Sequence, residues 1–219
     1  STGASKSDEW VPIRPACDRQ FVLGMIHALM YDHKLYDAEY LKWYANGGYL
    51  IRDNGYFKRS ATEKHTAPAG RTPGSMAWFS QHGGEKNKPM VWDPVDKKAK
   101  VFDDPTIKDI ALEGNYEVEG ERVRPAFQFI KDAYKEYTPE WAEKITSVPA
   151  ATIRRLAKEL GEAAQIGSSI TIDGEVYPFR PVAVCWYRGA QGHKCSGFDN
   201  QVMTLLNMML GCFNAPGGL

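Results

Sequence analysis

Residues 182–211 constrain the fold of this sequence more than any other stretch. Residues 182–187 form a continuous apolar run. The loop Arg188-Gly189-Ala190-Gln191-Gly192-His193-Lys194-Cys195-Ser196-Gly197 follows, and then a helical pattern with Val202, Leu205, Leu206 and Met209 on one face. A short apolar run without alternation reads as a strand covered on both faces, as in a parallel sheet. Strand, glycine loop and helix in this order form the recurring unit of α/β folds that hold nucleotides. The sequence therefore predicts an α/β fold: a doubly wound, mostly parallel sheet flanked by helices, with small hairpin insertions.

The rest of the chain sorts around that unit. Residues 11–14 read as a short extended segment that stops at Pro15. Asp18 then stands where it can cap a helix whose Val22, Met25, Ile26 and Leu29 recur at helical spacing. A short helix is expected from Asp37, carrying Tyr40, Leu41 and Tyr44. Residues 46–124 lose helical periodicity and gain Gly, Pro, Lys and Asp. Turn signals stand at Asp53-Asn54-Gly55 and at Glu119-Gly120, the latter between the strand-like 116–118 and 122–123, and 90–92 can pair with 100–102 as a hairpin. Helices return at 125–136, after Thr138-Pro139, and after Val148-Pro149. The last of these has a stripe of Ile153, Leu156, Ala157 and Leu160, with Arg154, Arg155 and Lys158 on a solvated face. A further hairpin is expected at Asp173-Gly174. The organisation is thus an α/β region from 1–45 and 125–219, interrupted by an irregular insertion at 46–124. The ends, Ser1 without methionine and the closing Ala-Pro-Gly-Gly-Leu, look cut, as in a processed chain or a piece of a larger protein.

Two strand-to-helix junctions can carry chemistry. In the 188–197 loop, glycines admit close backbone approach, and free N–H groups at a helix start favour phosphate. Arg188, His193 and Lys194 add positive charge. The spacing matches neither the dinucleotide nor the P-loop fingerprint, so anion or nucleotide binding competes with an ordinary flexible loop. At Arg14-Pro15-Ala16-Cys17-Asp18, the carboxylate can cap the helix or accept two hydrogen bonds from a guanine edge.

Other classes are excluded or left without support. Lys and Arg number 27, as do Asp and Glu, so the net charge is 0, which disfavours general nucleic-acid binding. No apolar run reaches the ~18 residues of a membrane span. Cys17, Cys185, Cys195 and Cys212 contain no CxxC pair and read as free thiols. The histidines share no metal-ligand spacing, and no triad, carboxylate pair or HExxH is present. No metal site and no catalytic residue is nominated.

Three islands of this sequence resemble the dimethyl sulfoxide reductase family, molybdenum or tungsten oxidoreductases with two molybdopterin guanine dinucleotides. The first is Glu9-Trp10-Val11-Pro12-Ile13-Arg14-Pro15 with Asp18 and the apolar helix after it. The second is Glu140-Trp141-Ala142-Glu143-Lys144-Ile145-Thr146, with Val148-Pro149-Ala150 and Thr152-Ile153-Arg154-Arg155-Leu156-Ala157. The third comprises Trp186-Tyr187-Arg188-Gly189, Leu205-Leu206-Asn207, Leu210-Gly211 and Pro216-Gly217-Gly218-Leu219. They occur in the family's order along almost the whole chain. Departures are Pro15-Ala16-Cys17-Asp18, where the family often has Pro-Gly-Thr-Asp, and Asn214-Ala215 near the end.

The resemblance implies that Pro15, Cys17 and Asp18 lie against one dinucleotide, with Asp18 accepting hydrogen bonds from its guanine. It implies that Arg188, Gly189, Gln191, His193, Gly197 and Asn200 lie against dinucleotide atoms. It also implies a 4Fe-4S cluster outside this segment, an iron–sulfur electron-transfer subunit, a membrane anchor subunit, and a periplasmic or outer-face location. The 186–189 motif and the hairpin near 170–182 lean toward the branch reducing sulfur, selenium or arsenic oxyanions. The other reading is a cofactor-less homologue, kept as a scaffold or electron-transfer subunit of a membrane-associated respiratory complex.

Overall fold

A computed structural model describes residues 5–65, 86–192 and 196–219. In chain order its elements begin with α1 (Asp18–His27), continued by a π-helical turn (Ala28–His33), and α2 (Ala38–Trp43). Six strands follow: β1 (Leu50–Arg52), β2 (Arg59–Lys64), β3 (Asn87–Asp93), β4 (Lys98–Val101), β5 (Tyr116–Val118) and β6 (Glu121–Pro125). Then come α3 (Ala126–Tyr134), α4 (Pro139–Thr146) and α5 (Ala150–Ala163). The chain ends with β7 (Ser169–Ile172), β8 (Glu175–Pro178), α6 (Arg188–Gln191) and α7 (Ser196–Met209). It divides into two compact units, residues 1–40 with 131–219, and residues 41–130.

The first unit is built around α1. Residues 22–30 are all buried, more than the single apolar stripe that the spacing predicts, because α4, α5 and α7 all pack on this helix. Gly24 permits the approach of α4: a Cβ there would lie 2.8 Å from Ala142 Cβ. The start of α4 follows from its sequence. The Thr138 hydroxyl accepts from Trp141 N at 3.2 Å, and Pro139 takes a first-turn position where no N–H is needed. In α5 the buried positions are Ala150, Ile153, Ala157 and Gly161. Leu156 and Leu160, expected in that stripe, are only half-buried because Gly161 takes the close contact with Leu29 and Leu35. The expected solvated face is a set of ion pairs: Arg154 with Asp32 (2.8 Å) and Glu140 (2.6 Å), and Arg155 with Glu9 (2.6 Å) and Glu159 (3.0 Å).

The β7–β8 hairpin turns at Asp173 (φ 52°) and Gly174 (φ 85°), a two-residue loop whose twist matches its strands. Arg180 ties the following segment to the core. Its guanidinium meets Asp37 through Nε (2.8 Å) and Nη2 (2.7 Å) and donates through Nη1 to the Phe179 and Ser168 carbonyls. The other Asp37 oxygen accepts from Tyr40 N at 2.9 Å at the start of α2.

The second unit holds two three-stranded antiparallel sheets, ordered β1-β6-β5 and β2-β3-β4. The two hairpins expected in the insertion are present: Val118 pairs with Glu121 around Glu119-Gly120, and Met90 pairs with Val101. Leu50, Val118 and Val123 form an apolar centre, covered by Met90, Ala99 and the stacked pair Trp92 and Tyr116.

The mixed α/β class holds, but every strand pairing among the described residues is antiparallel. The buried parallel strand expected at 182–187 is instead irregular backbone outside any sheet, with Ala183, Cys185 and Tyr187 exposed. The reason is Asn207, fully buried on α7. Its carboxamide accepts from Val184 N (2.9 Å) and donates to Val184 O (2.9 Å) and Met203 O (3.1 Å). One side-chain amide thus gives Val184 the hydrogen bonds that a neighbouring strand would have supplied.

Candidate functional site

The segment before α1 is fastened to the end of α4. Arg14 N donates to Thr146 O at 3.0 Å, and the Cys17 thiol donates weakly to Ile145 O and Pro15 O. Cys17 holds the cap position of α1 without a side-chain cap bond, so Asp18 is the first helical residue and not the cap. Among the described residues the Asp18 carboxylate has no hydrogen-bond or ion-pair partner. Its position in the first turn places a negative charge at the favourable end of the helix dipole. Ala16 adopts φ 60°, a left-handed conformation that costs a residue with a Cβ about 1 kcal/mol. That strain falls at the position where the resembling family often has glycine.

The second junction leaves residues 182–187, passes through the short α6, and enters α7. Trp186 Nε1 donates to Asn200 Oδ1 at 2.5 Å, so Asn200 secures the segment that leads into the loop. Gly189 and Gly197 lie outside the left-handed region, and a Cβ at either would meet nothing within 4 Å. Neither backbone conformation nor packing within the described chain therefore calls for glycine at these positions. A close-approaching ligand would. Of the residues implicated at sequence level, His193 lies outside the described residues, as do the side chains of Arg188 and Gln191.

The two junctions, far apart in the sequence, lie side by side. Arg19, next to Asp18, forms an ion pair with Asp199 at 3.6 Å, and its guanidinium sits 5.9 Å from the Phe198 ring centroid. Asp199 is buried, whereas Phe198 is 59% exposed. The starts of α1 and α7 thus form one end of the helical cluster, with a carboxylate, a fixed guanidinium, an exposed aromatic ring and open glycines. Sequence reasoning missed Arg19, Phe198 and Asp199. The available signal was an aromatic and an acid between Gly197 and Asn200 at a helix start.

Of the four cysteines expected to be free thiols, Cys195 lies outside the described residues. Cys17, Cys185 and Cys212 are free. Burial pushes the Cys212 thiol up to about 11, and its Sγ lies 3.1 Å from Asn207 Oδ1 and 3.2 Å from Asn207 O, so it stays protonated at neutral pH. Among the described residues no group of three or more His, Cys, Asp or Glu could hold a metal ion.

No family model matches the chain. Individual proteins do. The chain is 32% identical, over 97% of its length, to the A chain of the sulfite dehydrogenase of Allochromatium vinosum. It is 28% identical over 99% to the A chain of the selenate reductase of Mesobacillus selenatarsenatis. It is 31% identical over 74% to the alpha chain of the perchlorate reductase of Dechloromonas aromatica. It spans 22%, 19% and 20% of these relatives, about a fifth of their length.

Proposed function

The chain belongs to the dimethyl sulfoxide reductase family of molybdopterin oxidoreductases, and from that premise we propose that it holds the guanine dinucleotide end of the cofactor in a catalytic subunit. The observation that carries this reading is the convergence of the α1 and α7 starts through Arg19 and Asp199. It gathers two sequence-distant junctions at one place, where Asp18 and the open glycines fit a nucleotide. The bound group, a bis-molybdopterin guanine dinucleotide with Mo or W, supplies oxygen-atom or two-electron transfer chemistry.

This chain's residues bind and orient. Asp18 accepts hydrogen bonds from the guanine edge. Gly189 and Gly197 leave room for ligand atoms against the backbone, and the first turn of α7 offers N–H groups to an anion. Pro15 and Cys17 set the path of the chain into α1, while Asn200 fixes the segment leading into the loop. In this reading none of these residues acts on substrate.

The names of the relatives, which cite sulfite, selenate and perchlorate, support an oxyanion as the small-molecule substrate. The reading is an anaerobic respiratory reductase of a sulfur, selenium or arsenic oxyanion. Each of these relatives is named as one lettered component of its enzyme, which supports a multi-subunit assembly. The assembly in this reading has an iron–sulfur electron-transfer subunit with a membrane anchor subunit, and a 4Fe-4S cluster elsewhere in the catalytic chain. No described helix is long and apolar enough to cross a membrane. In this reading the catalytic chain lies in the periplasm or on the outer face of the membrane and is held there by its partners.

Asp18→Ala in the full-length subunit tests the site. Losing a charged acceptor of about 1.5–3 kcal/mol predicts roughly a tenfold to hundredfold weaker hold on the nucleotide. Molybdenum and guanine nucleotide per chain should fall together, with circular dichroism unchanged. Full retention of both contradicts the assigned role.

A further inference from the structure

The placement of Phe198, in the first turn of α7, is not explained by the packing of the described chain. Its ring is 59% exposed beside Gly197, where a Cβ would meet nothing within 4 Å. Leaving a phenylalanine ring in water forgoes the burial that normally places it. The neighbouring groups are ordered around it all the same. The Arg19 guanidinium stands 5.9 Å from the ring centroid, and its Nε is held 3.6 Å from Asp199, a carboxylate only 2% exposed. An acid has been buried next to the aromatic ring, and the cation it holds keeps that ring company. An exposed ring with a fixed cation beside it is the arrangement that stacks a nucleobase. Every base has a π-face, and arginine adds a cation–π contribution. Asp18, the residue before Arg19, places an acceptor for a base edge at the same end of the helical cluster.

We propose that Phe198, with the Arg19 guanidinium fixed by Asp199, is the stacking face for the purine whose edge Asp18 reads. The inference rests on the dinucleotide reading above and deepens it by assigning the base a face as well as an edge. Phe198 touches the base with its free face, while Arg19, over the other face of the ring, and Asp199, through Arg19, act as positioning residues.

The test follows the rate at which the full-length subunit loses guanine nucleotide on dilution, alongside its thermal unfolding midpoint. Base stacking of about 1–3 kcal/mol predicts that Phe198→Ala releases nucleotide roughly fivefold to 150-fold faster. The unfolding midpoint of the nucleotide-free protein should be unchanged, since the ring is exposed. Phe198→Trp should hold nucleotide as the wild type does, whereas Phe198→Leu should behave as the alanine variant. Wild-type retention in Phe198→Leu or Phe198→Ala overturns the inference, because the ring would then serve as apolar cover or not at all. A wild-type subunit that carries no guanine nucleotide overturns the dinucleotide reading itself, and the stacking face with it.

Discussion

Lys100 shows how much one buried charge can organise. Its ammonium meets Asp93 at 2.8 Å, Asp96 at 2.6 Å and the Thr106 carbonyl at 2.7 Å, and it is nearly inaccessible to water. Burial alone would push the Asp93 carboxyl up. The Lys100 ammonium and the N–H groups of Lys108, Asp96 and Val95 outweigh it and hold the carboxyl well below the usual carboxylate range. A depressed native pKa contributes stability that is complete above the ordinary value of 3.8 and is lost as pH falls below it. The urea midpoint of the full-length subunit should therefore drop between pH 5 and pH 3. Asp93→Asn should be less stable at pH 5 and lose less over that interval; an unchanged acid slope would rule Asp93 out as a source. The same scale explains what was legible in the candidate site. Asp18 could be singled out from the sequence because its place at the start of an apolar helix is local information, although it opens the helix and does not cap it. The pairing of Arg19 with Asp199 could not, because complementary charges are common and only the packing of α1 on α7 selects this pair.

Turns were the most legible elements, since Glu119-Gly120 and Asp173-Gly174 each carry a glycine where the turn takes a positive φ. The helix starts at Pro139 and Ala150 were legible for a similar reason. The parallel strand at 182–187 failed because an apolar run reports burial propensity and not a hydrogen-bond partner, and that partner proved to be the side chain of Asn207. Helix packing was also hidden: nothing in the α1 spacing indicates that Gly24 is the contact point with α4. Gly24→Ala gives up that contact, since the new Cβ would lie 2.8 Å from Ala142 Cβ. The helix-propensity gain of about 1 kcal/mol is set against overpacking of about 1–3 kcal/mol. The full-length subunit should show a lower denaturation midpoint, and equal or higher stability would mean that α4 moves aside at little cost.

At the scale of the whole molecule, the chain supplies about a fifth of what its relatives contain. The role proposed for it is accordingly to hold a cofactor and not to carry a whole reaction. The first unit offers two helix starts meeting at one end; the second contributes small antiparallel sheets locked by Lys100 and its acids. Family membership together with that meeting point makes cofactor retention the central claim. The most direct measurement is the content of molybdenum, tungsten and released guanine nucleotide per full-length chain, purified from its native source. One metal and two guanine nucleotides per chain is the predicted result. A folded protein with neither metal nor nucleotide would contradict the account and leave a scaffold in place of an enzyme.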